Sequence, residues 1–192
     1  MPETRVIIDL SNRHIHLSTE DLAVLFGPSY SLTKTKELLQ PGQFAAAETV
    51  AIVGPKGRLD GVRILGPTRP ETQCEVLASD VFRLGVTECP IRESGHLDGS
   101  LPFQVVGPAG TIAKTRGLII AQRHIHFDPD NARRYEVSDR QIVSLKVSGD
   151  RALVFENVVC RVGPAHFLEC HLDFDEGNAA GIRSGSYGEI VK

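Results

Sequence analysis

The sequence has no long apolar run and no excess of basic residues, and each absence excludes a class of protein. No stretch approaches the ~20 apolar residues that a membrane-spanning helix needs, and the amino terminus lacks the apolar core of a signal peptide. The formal net charge is −3, which excludes electrostatic capture of nucleic acid or of an anionic membrane surface. We therefore expect an intracellular, cytoplasmic protein with neither nucleic acid nor membrane as a partner.

The four cysteines lack the C-x-x-C spacing of zinc ribbons and redox motifs. They stand far apart along the chain, at Cys74, Cys89, Cys160 and Cys170. In a reducing compartment, scattered cysteines of this kind are expected to be free thiols, buried or half-buried. The 192 residues are 41% hydrophobic and 23% charged, so the chain can bury the core of one large or two small domains.

Long helical patterns are also scarce, whereas 18 glycines and 11 prolines punctuate short β-branched runs. Such runs between turn signals favour β-barrels or sandwiches. Two short helices are expected at matching places. Ser18 can cap residues 19–26, with Asp21 completing a capping box, and Asp128 followed by Pro129 predicts a second helix start. Residues 80–85 are a further short candidate.

One tetrapeptide occurs twice, as Arg13-His14-Ile15-His16 and as Arg123-His124-Ile125-His126. Each copy lies in an apolar, β-favouring run, where side chains two residues apart face the same side. Two imidazoles on one face form a compact chelate for zinc or another borderline metal. The alternative is that these are satisfied structural histidines, but the repetition of the whole phrase favours a metal site.

The repeat extends past the histidines. The run Val62–Pro67 resembles Val159–Pro164, and Gly54–Gly57 resembles Gly107–Gly110. If the halves are structurally related, Glu75 and His171 occupy similar places and can each add a third ligand. Glycine-proline turns also recur for purely structural reasons.

Three protein ligands with one open position are typical of catalytic rather than structural zinc. Two such sites brought together would form a two-metal centre of the kind that clamps phosphates. Lys56, Arg63 and Arg69 stand near Glu75 in sequence, and an arginine is well suited to binding phosphate through two hydrogen bonds. As single residues, however, most such cations are solvated surface groups.

Several motifs together resemble the PduL-type phosphate propanoyltransferases (phosphotransacylases), a family associated with bacterial microcompartments. The resemblance covers nearly the whole chain, and it rests on the segments Ser11–Ser18, Gln40–Ala45, Glu48–Val50, Val62–Pro67 with Arg69, Arg123–His126, His171 and Asn178–Ala180.

The resemblance implies transfer of an acyl group between coenzyme A and phosphate at a centre of two zinc ions per chain. It implies metal ligands at His14, His16, Glu75, His124, His126 and His171. It places the phosphate-binding, catalytic arginine at Arg69. It places coenzyme A contacts at Leu10, Ser11, Asn12, Lys56, Arg63, Phe82 and Asn178.

For the fold, the resemblance implies two β-barrels capped by short helices, as pseudo-symmetric halves. The first strand is expected to join the second half, giving one barrel from residues 1–12 with 122–192 and another from residues 13–121. Composition alone would place a single boundary near residue 100. The family also implies a homodimer and allows association with a microcompartment shell.

Two other functions fit the residues by themselves. A two-metal hydrolase would use water instead of phosphate as the nucleophile. A metal-binding or shell-associated scaffold would hold structural zinc, although closed structural sites use four protein ligands and only three per half are readily found. His166 is expected to be a strand-end residue rather than a group supporting the metal ligands, and His96 to be solvated.

Overall fold

The computed structural model describes residues 4–192, and it is mainly β with four short helices. The strands are β1 (Arg5–Ser11), β2 (His14–His16), β3 (Lys34–Glu37), β4 (Phe44–Val53), β5 (Arg58–Gly66), β6 (Gln73–Glu75), β7 (Ile91–Arg92), β8 (Leu101–Val106), β9 (Thr111–Ala121), β10 (His124–Phe127), β11 (Ile142–Val147), β12 (Leu153–Val162), β13 (Glu169–Asp173) and β14 (Tyr187–Val191). The helices are α1 (Thr19–Phe26), α2 (Ala78–Leu84), α3 (Pro129–Arg134) and α4 (Phe174–Ala180). None of these helices has the length and apolarity to cross a membrane.

The chain divides into two compact units. Among the described residues, the first unit contains residues 4–11, Leu39–Pro41 and Gln122–Lys192, and the second contains Asn12–Leu38 and Gly42–Ala121. Relative to the expected boundaries, Asn12 falls in the second unit and residues 39–41 in the first. The chain crosses between units after residues 11, 38, 41 and 121, not near residue 100.

The second unit is a closed six-stranded barrel. Its strands follow the order β4-β5-β2-β6-β9-β8, and the ring closes because β8 pairs with both β9 and β4. β3 extends the sheet from β4, and β7 extends it from β9. Inside the barrel, fully buried apolar side chains such as Ile15, Ile52 and Leu118 form one continuous core.

The first unit is a closed six-stranded barrel of the order β1-β13-β10-β12-β11-β14. Its own core includes Ile8, Ile125 and Phe127, none of which is exposed to solvent. The pairing repeats that of the other barrel: β10 is parallel to β12 and antiparallel to β13, as β2 is to β5 and β6. The expectation of two pseudo-symmetric β-barrels is therefore confirmed.

The helix starts follow the predicted caps, with one correction. The backbone N–H of Asp21 donates to Ser18 Oγ at 3.1 Å, and the N–H of Asn131 donates to Asp128 Oδ1 at 3.0 Å. The capping box at α1 is wrong in its second half. The carboxylate of Asp21 does not reach back to the Ser18 N–H, because it binds Lys114 Nζ at 2.7 Å and accepts from the Thr72 hydroxyl.

Candidate functional site

The second unit brings one histidine pair and a carboxylate together. His14 and His16 lie on β2, and cross-strand pairing sets Glu75 of β6 opposite His14. His14 Nε2 lies 3.4 Å from Glu75 Oε2. The three side chains are buried, and their ligand atoms lie within 4.8 Å of one another.

Backbone carbonyl groups fix the tautomers of these two histidines. His14 Nδ1 donates to the carbonyl oxygen of Asn12 at 2.8 Å, and His16 Nδ1 donates to that of Leu65 at 3.2 Å. A carbonyl oxygen can only accept, so Nδ1 carries the proton and the Nε2 lone pair is available to a metal. Burial, reinforced by the charge of Arg69 and by the neighbouring His14, lowers the pKa of His16 well below its usual value, which keeps the ring neutral.

The first unit holds the equivalent group of three histidines. His124 and His126 lie on β10, and His171 of β13 is paired with His124 across the sheet. Their ligand atoms also lie within 4.8 Å of one another. Burial lowers the pKa of His124 well below its usual value, and it also lowers the pKa of His126, so both rings are neutral.

The three histidines of the first unit are better explained as metal ligands than as structural histidines whose hydrogen bonds are all satisfied. His124 Nδ1 donates to the carbonyl oxygen of Gln122 at 2.8 Å, so its Nε2 carries a lone pair. That Nε2 lies 3.1 Å from His126 Nε2, while His126 Nδ1 is buried without a hydrogen-bond partner in residues 4–192. The two Nε2 atoms are close enough to share a proton or to bind one cation, and borderline metals prefer nitrogen ligands.

Arg69 is connected to the group in the second unit through a serine that the sequence motifs did not reveal. Arg69 Nη1 donates to Ser94 Oγ at 2.9 Å, and Gln73 Nε2 donates to the same oxygen at 2.9 Å. Gln73 Nε2 also lies 2.6 Å from Glu75 Oε1. The arginine, half-buried, is thus positioned by the network that contacts a candidate metal ligand, and its charge acts on His16.

Two further polar side chains at the group in the first unit also escaped sequence analysis. Glu169 Oε2 lies 2.9 Å from His171 Nε2, and Gln40 Nε2 donates to the same oxygen at 3.0 Å. His166, expected to be a strand-end residue, lies with its ring centroid 4.4 Å from that of His126, so it packs against the group. The two-residue spacing of strands could have revealed Gln73 and Glu169 in the sequence, because each precedes a third ligand by two positions.

Four of the seven residues expected to contact coenzyme A lie in the second unit. They are Asn12, Lys56, Arg63 and Phe82, and all four are exposed. Lys56 lies at the carboxyl end of α2, where its backbone N–H donates to the carbonyl oxygen of Leu84 at 3.1 Å. Phe82 on that helix is 89% exposed. The Arg63 guanidinium donates to the carbonyl oxygen of Ala46 at 2.7 Å, so part of its fork is already used.

The other three expected contacts, Leu10, Ser11 and Asn178, lie in the first unit. Leu10 packs directly against Gly177 of α4, where an added Cβ would come within 2.5 Å of Leu10 Cδ1. Ser11 pairs across the sheet with Asp173, the residue that caps α4. Asn178 is exposed on the same helix. All three residues therefore lie on or beside α4.

Comparison with known proteins identifies similar chains over nearly the full length. A sequence model of the family described as phosphate propanoyltransferase matches residues 7–183. A protein of Thermotoga maritima named phosphate propanoyltransferase is 52% identical over 191 residues, which are 99% of this chain and 90% of that protein. Proteins of the same name from Lachnoclostridium phytofermentans and Enterococcus faecalis are 51% and 44% identical, over 97% and 96% of this chain and 87% of each protein.

Proposed function

The chain belongs to the phosphate propanoyltransferase family, and from that premise we propose that it moves a short acyl group between coenzyme A and inorganic phosphate. Propanoyl and acetyl are the acyl groups that we propose it transfers, and acyl phosphate and free coenzyme A are the products. The observation that supports this most is the pair of buried three-ligand groups, one of them connected to Arg69.

We propose that each group holds one zinc ion, giving two per chain. His14, His16 and Glu75 would hold one ion, and the three histidines His124, His126 and His171 the other. When bound, zinc supplies Lewis acidity towards phosphate and thioester oxygens and stabilises a thiolate leaving group. Three ligands per ion leave coordination positions open for substrate, as catalysis requires.

Arg69 is the proposed phosphate-binding residue. Its guanidinium can bind two phosphate oxygens at once, and the hydrogen bond to Ser94 limits the orientations that the fork can adopt. An oxygen of the bound phosphate then attacks the thioester carbonyl carbon. The new carbon–oxygen bond replaces the carbon–sulfur bond, whose electron pair leaves with coenzyme A as the thiolate. No covalent acyl-enzyme intermediate is needed.

In the second unit, exposed residues around α2 would bind coenzyme A. Lys56 and Arg63 supply positive charge for its phosphate groups, and Phe82 offers an exposed aromatic face. The coenzyme A contacts at Leu10, Ser11, Asn12 and Asn178 stay predictions drawn from the resemblance. A homodimer and association with a microcompartment shell stay predictions drawn from the resemblance, and a cytoplasmic location stays a prediction from the sequence.

The test is a balanced assay with propanoyl-CoA or acetyl-CoA and phosphate. We expect acyl phosphate and free coenzyme A to form in equal amounts, with both absent when phosphate is omitted. A hydrolase would release coenzyme A without phosphate and form no acyl phosphate. A scaffold protein would bind zinc and turn over neither substrate, and either of these outcomes would reject the proposed transfer.

A further inference from the structure

A polar side chain lies two residues before each third metal ligand on the same strand. Gln73 precedes Glu75 on β6, and Glu169 precedes His171 on β13. Each of these earlier residues is paired across the sheet with the second histidine of its phrase, so they hold the same place in the two barrels. Residues two apart on a strand face the same side, which is why each one reaches its third ligand.

Each group therefore has one carboxylate, which is the third ligand itself in one unit and the residue two positions before it in the other. In the second unit the third ligand, Glu75, is the carboxylate, and the residue behind it, Gln73, is a neutral amide. In the first unit the third ligand, His171, is an imidazole, and the residue behind it, Glu169, is the carboxylate. Each group has one carboxylate in contact with its ligands or among them.

Glu169 is a buried acid whose ionisable partner is the His171 imidazole, 2.9 Å away. It is 1% exposed, and in residues 4–192 no lysine or arginine pairs with it and its Oε1 accepts no hydrogen bond. Burying a carboxylate in this way is costly unless a positive charge compensates it. A divalent cation held by the neighbouring histidines would supply that charge.

Gln40 holds the Glu169 carboxylate in place. The Phe167 backbone N–H donates to Gln40 Oε1 at 3.2 Å, and Gln40 Nε2 donates to the Phe167 carbonyl oxygen at 3.0 Å. These two bonds orient the amide so that its Nε2 also faces Glu169 Oε2, at 3.0 Å. The carboxylate oxygen next to His171 is thus fixed by a second side chain.

We propose that Glu169 is a positioning residue for the metal site of the first unit. It accepts the Nε2–H of His171, which fixes the ring and leaves Nδ1 for the metal, and it places a carboxylate beside a site whose ligands are all imidazoles. A carboxylate bonded to a ligating histidine makes that histidine a stronger ligand. The inference rests on the proposed metal sites and goes beyond the ligand set itself.

The test is the zinc affinity of Glu169→Gln, measured by competition with a chromogenic chelator on metal-free protein. We expect about 10- to 100-fold weaker binding of one of the two ions and unchanged binding of the other. The same loss is expected in the His14→Ala background, where only the site of the first unit remains intact. Glu156→Gln, an exposed glutamate on β12, is the matched control and should bind as the wild type does.

A charge-exchange variant separates positioning from a merely structural role. Glu169→Gln combined with His171→Glu rebuilds in the first unit the amide–carboxylate pair of Gln73 and Glu75. We expect it to recover zinc affinity relative to Glu169→Gln, whereas Glu169→Gln with His171→Ala should not. Should Glu169→Gln fail to fold, Gln40→Ala provides the second test, with a smaller loss of affinity at the same site.

Three results would contradict the positioning role of Glu169. Unchanged affinity at both sites in Glu169→Gln would overturn the positioning role and leave the zinc part of the proposed function standing. Equal weakening at both sites, with loss of the circular dichroism signal, would also overturn it by showing that Glu169 only supports the fold. Wild-type protein that binds no zinc would overturn both proposals.

Discussion

Arg13 Nε lies 2.6 Å from Asp80 Oδ2, and this 1%-exposed carboxylate also accepts the backbone N–H of Leu77 at the start of α2. The other copy of the phrase repeats the arrangement. Arg123 Nε lies 2.7 Å from Glu176 Oε1, while Glu176 Oε2 accepts the backbone N–H of the residue that caps α4. The arginine of each phrase therefore ties the histidine strand to the helix that follows the third ligand.

Zinc content tests the ligand assignment directly. We expect about two zinc ions per chain in gently purified protein, because two groups of three ligands are present. His14→Ala and His124→Ala should each retain about one ion and lose turnover, as measured by elemental analysis and the acyl-transfer assay. His96→Ala, in an exposed loop, is the control and should keep both ions. Metal-free protein, or one ion with full activity, would reject the two-metal interpretation.

Substitution of Arg69 should affect phosphate more than the thioester. Losing a charge-assisted hydrogen bond costs roughly 1.5–3 kcal/mol, so Arg69→Ala should raise the KM for phosphate by about one to two decades. Arg69→Lys should restore only part of the loss, because an ammonium group cannot reproduce the fork. Ser94→Ala should raise the same KM by a smaller factor, since the guanidinium stays but is less well oriented.

Arg116→Ala is the control for that series, because this arginine is exposed and pairs with Glu71. Steady-state kinetics with each substrate varied in turn provide the measurement. Equal effects on both substrates, or phosphate kinetics in Arg69→Ala that match the wild type, would remove Arg69 from the phosphate site.

Lys56→Ala and Arg63→Ala should weaken binding of coenzyme A thioesters and leave zinc content unchanged. Coenzyme A carries several phosphate charges remote from the reacting sulfur, whereas a pantetheine thioester lacks the nucleotide. The two variants should therefore raise the KM for the coenzyme A thioester and spare the pantetheine thioester. Arg58→Ala, an exposed arginine of β5 paired with Asp60, is the matched control. Equal losses with both thioesters would mean that the two residues do not contact the nucleotide.

The four thiols should be unreactive in the native chain at neutral pH. Burial raises the pKa of Cys89 and of Cys160 to about 11, and it raises the pKa values of Cys74 and Cys170 well above the usual range. Only the thiolate reacts, and a raised pKa moves its formation to higher pH. Iodoacetamide labelling followed by mass spectrometry should be slow at pH 7.5, faster at pH 10, and fast in urea-unfolded chain.

The acyl-transfer activity of iodoacetamide-treated protein provides a second test of the cysteines. The proposed displacement uses no cysteine nucleophile, so treatment with iodoacetamide at pH 7.5 should leave acyl transfer intact. Inactivation in step with the labelling of a single cysteine would contradict direct attack by phosphate.

Sequence periodicity predicted the histidine pairs well, because the two-residue repeat of a strand is a local property. The structure brings His14 and His16 together on β2 as that repeat requires. The free state of the cysteines and the start of α3 at Asp128 followed from equally local rules.

Local sequence patterns could not predict contacts between residues that are distant in sequence. Gly54–Gly57 and Gly107–Gly110 suggested a repeat between halves, yet both turns lie in the second unit. An added Cβ at Gly54 or Gly107 would meet the carbonyl oxygen of a helix end at 2.5 Å, so both glycines serve close packing. Asp21 was likewise expected to cap α1, but Lys114, distant in sequence, binds its carboxylate.

The position of β1 has a consequence for the order in which the barrels can form during synthesis. The second barrel needs nothing beyond Ala121, so its ring of strands can close while the rest of the chain is still being made. β1 is synthesised before the other strands of the two barrels, yet its partners β13 and β14 are made only after the second barrel. The first barrel therefore closes only after β14 has been made, and until then β1 is an unpaired edge exposed to misassociation.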